Sequence, residues 1–165
     1  MPGRFAIARL TLIAALATAA PAHAATIAVG TTEDEIVVNG ACSLREAIRT
    51  VNGFANGDCG AAEAGANTIQ LGAATYHLSL GGGNENASAT GDLDVVAGPT
   101  SSLTISGAGP GATVIDATGL GDRMLDISAA APSVAVSGMK LTGGRAPDGA
   151  AGGAGASGGA IYAAR

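Results

Sequence analysis

Apolar and polar residues alternate in short bursts along the chain from residue 67 onward. In each burst, small or polar residues separate the apolar ones, and the bursts are Ile69–Leu71, Tyr76–Leu80, Leu103–Ile105, Leu125–Ile127, Val134–Val136 and Met139–Leu141. A two-residue period over pieces of this length predicts β-strands that each bury one face. Segments rich in Gly, Pro and Asn separate the bursts and predict turns. The sequence therefore predicts a domain of many short strands.

The spacing of these bursts, roughly 10 residues, fits either an antiparallel sandwich or successive faces of a parallel β-helix. Asn-Gly and Asp-Gly hairpin turns are missing between the bursts, which favours the β-helix. The similar triplets around Asp94, Asp116 and Asp126 suggest stacked equivalents, and the separation of Asp94 from Asp116 predicts one coil. Ser106-Gly107 and Ser137-Gly138 also predict stacked equivalents, in a coil with an insertion.

An amphipathic helix is predicted over residues 43–52. Ser43 can cap its first turn and Glu46, three residues on, can reach back to the Ser43 amide, which is a capping box. Apolar residues at helical spacing form one face, and these are Leu44, Ala47, Ile48 and Val51. Asn52-Gly53 predicts its end. We expect this helix to cover the apolar end of the strand domain.

The two cysteines of the chain, Cys42 and Cys59, predict a disulfide. Closing the loop between them contributes about 3 kcal/mol by restricting the unfolded chain. Metal binding needs more His or Cys partners than this segment offers, so we predict no zinc site.

Residues 1–24 have the features of a secretory signal peptide. Arg4 and Arg9 precede an apolar run, Leu10–Ala20, and Ala22-His23-Ala24 provides the A-x-A cleavage site. A transmembrane helix needs about 20 apolar residues, so this run is too short to be an anchor. We expect export to the outer membrane or the extracellular space, and no transmembrane segment in the remaining chain.

The net charge of the chain excludes some classes of binding partner. Loss of residues 1–24 removes two of the eight basic residues and none of the 13 acidic ones, which leaves a formal charge of −7. This charge argues against nucleic acid and anionic membrane surfaces as partners.

The amino-acid composition restricts the kind of core. The chain has no Trp and 2% aromatic residues, so the core must consist of aliphatic side chains. The excess of Gly and Ala is typical of a bacterial source.

The segment Cys42–Ile48, with the sequence Cys-Ser-Leu-Arg-Glu-Ala-Ile, resembles the signature of the CSLREA domain of exported right-handed parallel β-helix proteins. Later segments are similar to coils of that family and of chlamydial polymorphic outer-membrane proteins, and these segments are Thr104–Gly107, Val114–Asp116, Val136–Gly144 and Gly158–Tyr162. The resemblance implies an all-β, right-handed parallel β-helix of the pectate-lyase-like kind, with a short N-terminal capping helix.

The same resemblance implies a domain organisation and a role. Residues 25–66 would form an N-terminal cap, and residues 67–165 would form coils with a Gly/Ala-rich loop over 143–159. The expected role is a non-catalytic structural or interaction module of a secreted or cell-surface protein, for adhesion or matrix contact through a glycan or protein ligand. The alternative is the N-terminal part of a polysaccharide lyase or hydrolase. We expect an N-terminal fragment; if Arg165 is the true C-terminus, its open coil would self-associate.

Four aspartates are the candidates for site chemistry. They alternate with apolar residues, so we expect their carboxylates on the solvent face, and they are Asp92, Asp94, Asp116 and Asp126. Gathered together, they would bind Ca²⁺ or supply an acid–base pair for glycoside cleavage. The alternative is that they only solvate an exposed strand face. Arg123 and Lys140 are predicted to be ordinary surface partners.

Other motifs predict no catalytic residue and no cofactor besides the calcium candidate. Gly155–Gly159 matches the G-x-S-x-G nucleophile elbow, but no Asp or His follows it to complete a triad. Tyr76, Tyr162 and Phe54 are too scattered for a sugar-stacking platform and are expected to fill the core or an end of the fold.

Overall fold

The computed structural model describes residues 23–54, 57–83, 85–148 and 157–164. The predicted signal peptide lies outside the described residues except for its last two positions. So do residues 149–156 of the Gly/Ala-rich loop, which include the first two positions of the G-x-S-x-G match.

The described chain contains one α-helix and ten short β-strands. The helix α1 is Leu44–Val51, and the strands are β1 Ala25–Ala28, β2 Ala66–Gln70, β3 Thr75–His77, β4 Leu93–Val95, β5 Ser102–Ser106, β6 Val114–Asp116, β7 Leu125–Ile127, β8 Ser133–Ser137, β9 Lys140–Thr142 and β10 Ile161–Ala163. Among the described residues, no helix has the length and apolar character needed to cross a bilayer.

The strands form three parallel sheets with the orders β1-β2-β5-β8, β3-β6-β9 and β4-β7-β10. Every strand pair in the described residues is parallel, which excludes the antiparallel sandwich. From β2 to β10, consecutive strands enter the three sheets in turn. The inward residues of the sheets meet in one aliphatic core, which includes Ile27, Ile69, Leu103, Ile105, Ile115 and Leu125.

The predicted fold class, an all-β right-handed parallel β-helix, has to be corrected. Besides the predicted helix, the described residues form three small parallel sheets of short strands without an evenly repeated coil. In the largest sheet, Ala25 pairs with Asn67, Ala66 with Ser102 and Ser102 with Ser133, so the stretch of chain between partners shortens from each pair to the next. A two-residue hydrophobic period predicts which strand face is buried, but it does not predict how the strands are joined.

The predicted coil from Asp94 to Asp116 is also wrong. Asp94 pairs with Asp126 across β4 and β7, whereas Asp116 pairs with His77 across β3 and β6. The triplets around Asp94 and Asp116 look alike because both strands alternate apolar and polar residues, although they belong to different sheets. Two predicted equivalences are confirmed. Asp94 is stacked with Asp126, and Ser106 pairs with Ser137, where the Gly107 amide donates to the Ser137 carbonyl.

The helix and the disulfide follow the prediction. Ser43 Oγ accepts from the Glu46 amide at 3.1 Å, and Glu46 Oε2 accepts from the Ser43 amide at 2.9 Å, so the capping box is present. The helix buries its predicted apolar face in the core and ends at the C-cap Asn52. Cys42 is bonded to Cys59. Disulfides of this kind are typical of proteins in oxidising compartments.

Candidate functional site

A cleft with several carboxylates lies over the sheet β4-β7-β10. We call it the acid cleft, and its lining residues are Glu85, Asn86, Asp92, Asp94, Asp122, Arg123, Asp126 and Pro147. The sheet builds the cleft through register, because Asp94 pairs with Asp126 and Asp126 pairs with Tyr162. In-register parallel strands lie about 4.8 Å apart, so these three side chains form a row.

Three of the four predicted aspartates come together in this cleft. Asp92, Asp94 and Asp126 each offer a carboxylate oxygen, and these oxygens all lie within 4.8 Å of one another. Asp116 does not join them because β6 belongs to another sheet. There its Oδ2 lies 3.4 Å from His77 Nδ1, and its Oδ1 accepts from the Thr118 amide; hydrogen bonding with Thr118 lowers the pKa of Asp116.

The prediction that Asp92 and Asp94 face solvent is wrong. Asp92 is 6% exposed and Asp94 is 2% exposed. The cause is the loop before β4, which folds over this strand: the Ser88 amide donates to Asp94 Oδ2 at 3.0 Å, and Ser88 Oγ donates to the Asp94 carbonyl at 2.9 Å. Glu85 fixes this loop by accepting from its backbone amides. The alternation along a strand does not reveal such a covering loop.

Burial changes the acidity of these two carboxyl groups. Desolvation raises the pKa of Asp92 from 3.8 to about 6; the nearby carboxylates of Asp122 and Asp126 add to the rise, and Arg123 opposes it. Desolvation likewise raises the pKa of Asp94 from 3.8 to about 7, with a further rise from Asp92, while the hydrogen bond from Ser88 acts in the opposite direction. Both groups therefore titrate near neutral pH.

Arg123 is a member of the cleft and not the ordinary surface partner that was predicted. Its Nη1 lies 3.0 Å from Asp126 Oδ2 and 3.7 Å from Asp92 Oδ2. Its guanidinium carbon lies 4.8 Å from the ring centroid of Tyr162 in β10. The signal in the sequence was the three-residue spacing of Arg123 and Asp126, whereas the contacts with Asp92 and Tyr162 depend on strand pairing.

The helix α1 supports the cleft from the core side. Arg45 is fully buried, and its Nη1 and Nη2 donate to the backbone carbonyls of Gly91 at 2.8 Å, Asp92 at 3.2 Å and Ser88 at 3.4 Å. Its Nε also donates to Asp34 Oδ1 at 2.6 Å. The sequence predicted the apolar face of this helix but not these contacts of Arg45.

Asn52, the C-cap of α1, makes a second connection to the same segment. Its Nδ2 donates to the Asp94 carbonyl at 2.7 Å, and its Oδ1 accepts from the Val96 amide at 3.1 Å. Because the residues that carry the carboxylates are held through their own backbone, the helix contributes to the shape of the cleft.

The acid cleft is suited to two kinds of chemistry. Clustered carboxylate oxygens are the ligands that Ca²⁺ prefers, and they also attract organic cations. Two carboxyl groups that titrate near neutral pH can alternatively donate and accept protons as an acid–base pair. Asp92, Asp94 and Asp126 would hold a cation, with Arg123 at its border.

Searches against protein-family models, curated proteins and solved structures found no match for this chain. The resemblance of Cys42–Ile48 to the CSLREA motif therefore stays a prediction.

Proposed function

We propose that this protein is a non-catalytic structural and interaction module of a secreted or cell-surface protein, and that it contacts a cationic ligand through the acid cleft. The features that support export are the signal-peptide pattern of residues 1–24 and the Cys42–Cys59 disulfide. Ca²⁺ is the simplest cation that could bind to the carboxylates of the acid cleft. A protein ligand would present a Lys or Arg side chain.

The observation that carries the proposal is a cluster of three carboxylates of which only two contact the single arginine of the cleft. Asp92, Asp94 and Asp126 lie within 4.8 Å of one another, and Arg123 is the one basic residue among the described residues that line the cleft. Burial is the main cause of the raised pKa values of Asp92 and Asp94, and the neighbouring negative charges add to it. A bound cation would supply the missing compensation.

Titration calorimetry of the processed protein with Ca²⁺, and separately with a lysine-rich peptide, tests this proposal. We expect heat of binding with at least one of the two ligands and its loss in Asp126→Asn. The matched control is Asp116→Asn, which removes a carboxylate outside the cleft and should bind as the wild type does. The proposal fails if neither ligand binds at millimolar concentration, or if the two variants bind equally well.

A second candidate function is the N-terminal part of a carbohydrate-active enzyme. The observation that favours it is the pair of buried carboxyl groups of Asp92 and Asp94, whose oxygens lie within 4.8 Å of each other in a cleft that also holds Arg123. Burial raises the pKa of Asp92 to about 6 and that of Asp94 to about 7. Such a pair can act as general acid and general base. Incubation with pectin-like and alginate-like polymers should then release unsaturated or reducing ends, and Asp94→Asn should abolish the release. No release by the wild type would exclude this candidate.

A further inference from the structure

We propose that Arg45 and Asn52 are positioning residues of the acid cleft, which hold the backbone of residues 88–96 so that the carboxylates of Asp92 and Asp94 stay buried and close together. The proposal deepens the function proposed above and rests on it only for the use of the cleft. It assigns to the polar side of helix α1 a role beyond covering the core.

Arg45 connects two parts of the chain through one buried guanidinium. On one side it forms two contacts with Asp34, Nε to Oδ1 at 2.6 Å and Nη2 to Oδ2 at 3.1 Å. On the other side it donates to three carbonyls of the segment 88–92. These contacts use all five N–H donors of the planar guanidinium group, and the ammonium group of Lys cannot replace them.

Asp34 also connects Arg45 to the two residues Ser79 and Leu80, which follow strand β3. Its Oδ2 accepts from the Ser79 amide at 2.7 Å and the Leu80 amide at 2.8 Å. Residues 79 and 80 are therefore attached to Arg45 through Asp34, and residues 88–92 are attached to it directly. This arrangement limits how far residues 88–92 can move away from β4.

Asn52 holds the far side of the same segment. It bridges residues 94 and 96 as a neighbouring strand would, with one donated and one accepted hydrogen bond. Asp92 and Asp94 are thus fixed between Arg45 at the Asp92 carbonyl and Asn52 at the Asp94 carbonyl. Without these bonds the segment would loosen, and water would reach its backbone amides as well as the two carboxylates.

The test measures hydrogen exchange of single backbone amides by NMR in the full processed protein. The Ser88 amide donates to Asp94 Oδ2 and the Asp94 amide donates to Ser88 Oγ, so neither amide is bonded directly to Arg45 or Asn52. In Asn52→Ala, we expect both amides to exchange at least about tenfold faster than in the wild type, because the segment that carries them is released. Arg45→Lys is the second variant, and it should accelerate exchange at the same two amides while the positive charge is kept.

The control variant is Ile69→Val, which removes one methylene from the core in β2 and touches none of the contacts named above. It should lower the denaturant midpoint without accelerating exchange at the Ser88 and Asp94 amides. The proposal is overturned if both amides exchange as in the wild type in the folded Asn52→Ala and Arg45→Lys variants, or if Ile69→Val accelerates them as much. Because no ligand is used, this result is independent of whether the wild type binds Ca²⁺.

Discussion

Arg45 and Asp34 form an ion pair whose side chains are 0% and 1% exposed. Burial of two charges costs several kcal/mol unless both are paired and hydrogen-bonded. Here the remaining guanidinium hydrogens reach backbone carbonyls, and the carboxylate also accepts from two amides. The pair is therefore well compensated, and neither partner can be removed alone without leaving a buried charge.

We predict that Arg45→Met lowers the free energy of unfolding by about 3–5 kcal/mol, because it leaves the Asp34 carboxylate buried without its partner. Urea denaturation measures the effect. Arg145→Met is the matched control: it breaks an Arg–Asp pair with side chains 67% and 78% exposed, so we expect little change. Equal losses in the two variants would contradict the role given to burial.

We predict that Cys42→Ser reduces the free energy of unfolding by about 3 kcal/mol, because the loop between Cys42 and Cys59 is no longer closed in the unfolded chain. Thermal unfolding should show a melting temperature several degrees lower. Reduction of the wild type should produce a shift of similar size, whereas the reductant should not affect the variant. An unchanged melting temperature in Cys42→Ser would mean that the disulfide does not stabilise the fold.

The pKa of Asp94 predicts how stability depends on pH. Because the folded state raises this pKa from 3.8 to about 7, the folded protein binds more protons than the unfolded one between these values, and stability falls as the pH rises through this window. Asp94→Asn removes the titration, while the side-chain amide oxygen can still accept from the Ser88 amide. We expect the variant to be more stable than the wild type at pH 8, and this gain to vanish below about pH 4.

For Asp116→Asn, we expect the dependence of stability on pH to change in the opposite direction. The folded state lowers the pKa of Asp116, so its ionised form stabilises the protein above the ordinary value and this contribution is lost as the pH falls. Stability curves of both variants from pH 3 to pH 8 check the two signs. The burial argument fails if Asp94→Asn is less stable than the wild type at pH 8.

The sequence was sufficient for features that are set by local chemistry. The capping box of Ser43 and Glu46 was predicted from a three-residue spacing, and the structure shows both of its hydrogen bonds. The strand bursts were predicted from the two-residue period, and the equivalence of Ser106 with Ser137 from repeated dipeptides. In each case the information lies within a few residues, or in a repeat of the same residues.

The features that sequence reasoning missed depend on contacts between distant residues. The burial of Asp94 is due to a loop that folds back from Ser88, and the place of Arg123 beside Tyr162 depends on the pairing of β7 with β10. The assignment of Asp94 and Asp116 to one stack failed because the same alternation of apolar and polar residues occurs in all three sheets. Hydrophobic period alone could not separate those sheets.

The contact between Gly107 and Gly138 leads to a last prediction. These glycines follow the paired residues Ser106 and Ser137, and a Cβ on Gly107 would lie 2.3 Å from the Gly138 carbonyl oxygen and 2.9 Å from the Thr113 side chain. Because the neighbour is backbone, β5 and β8 would have to separate. We predict that Gly107→Ala lowers the free energy of unfolding by about 1–3 kcal/mol.

Gly111→Ala is the matched control, because a Cβ there meets nothing within 4 Å and the residue has no positive φ angle. It should leave stability unchanged or raise it by up to about 1 kcal/mol through the smaller entropy of the unfolded chain. Denaturant midpoints of the two variants compare the positions directly. A Gly107→Ala protein as stable as Gly111→Ala would show that the strands can separate at this point without loss, and the close approach of the two glycines would then not be required for the pairing of β5 with β8.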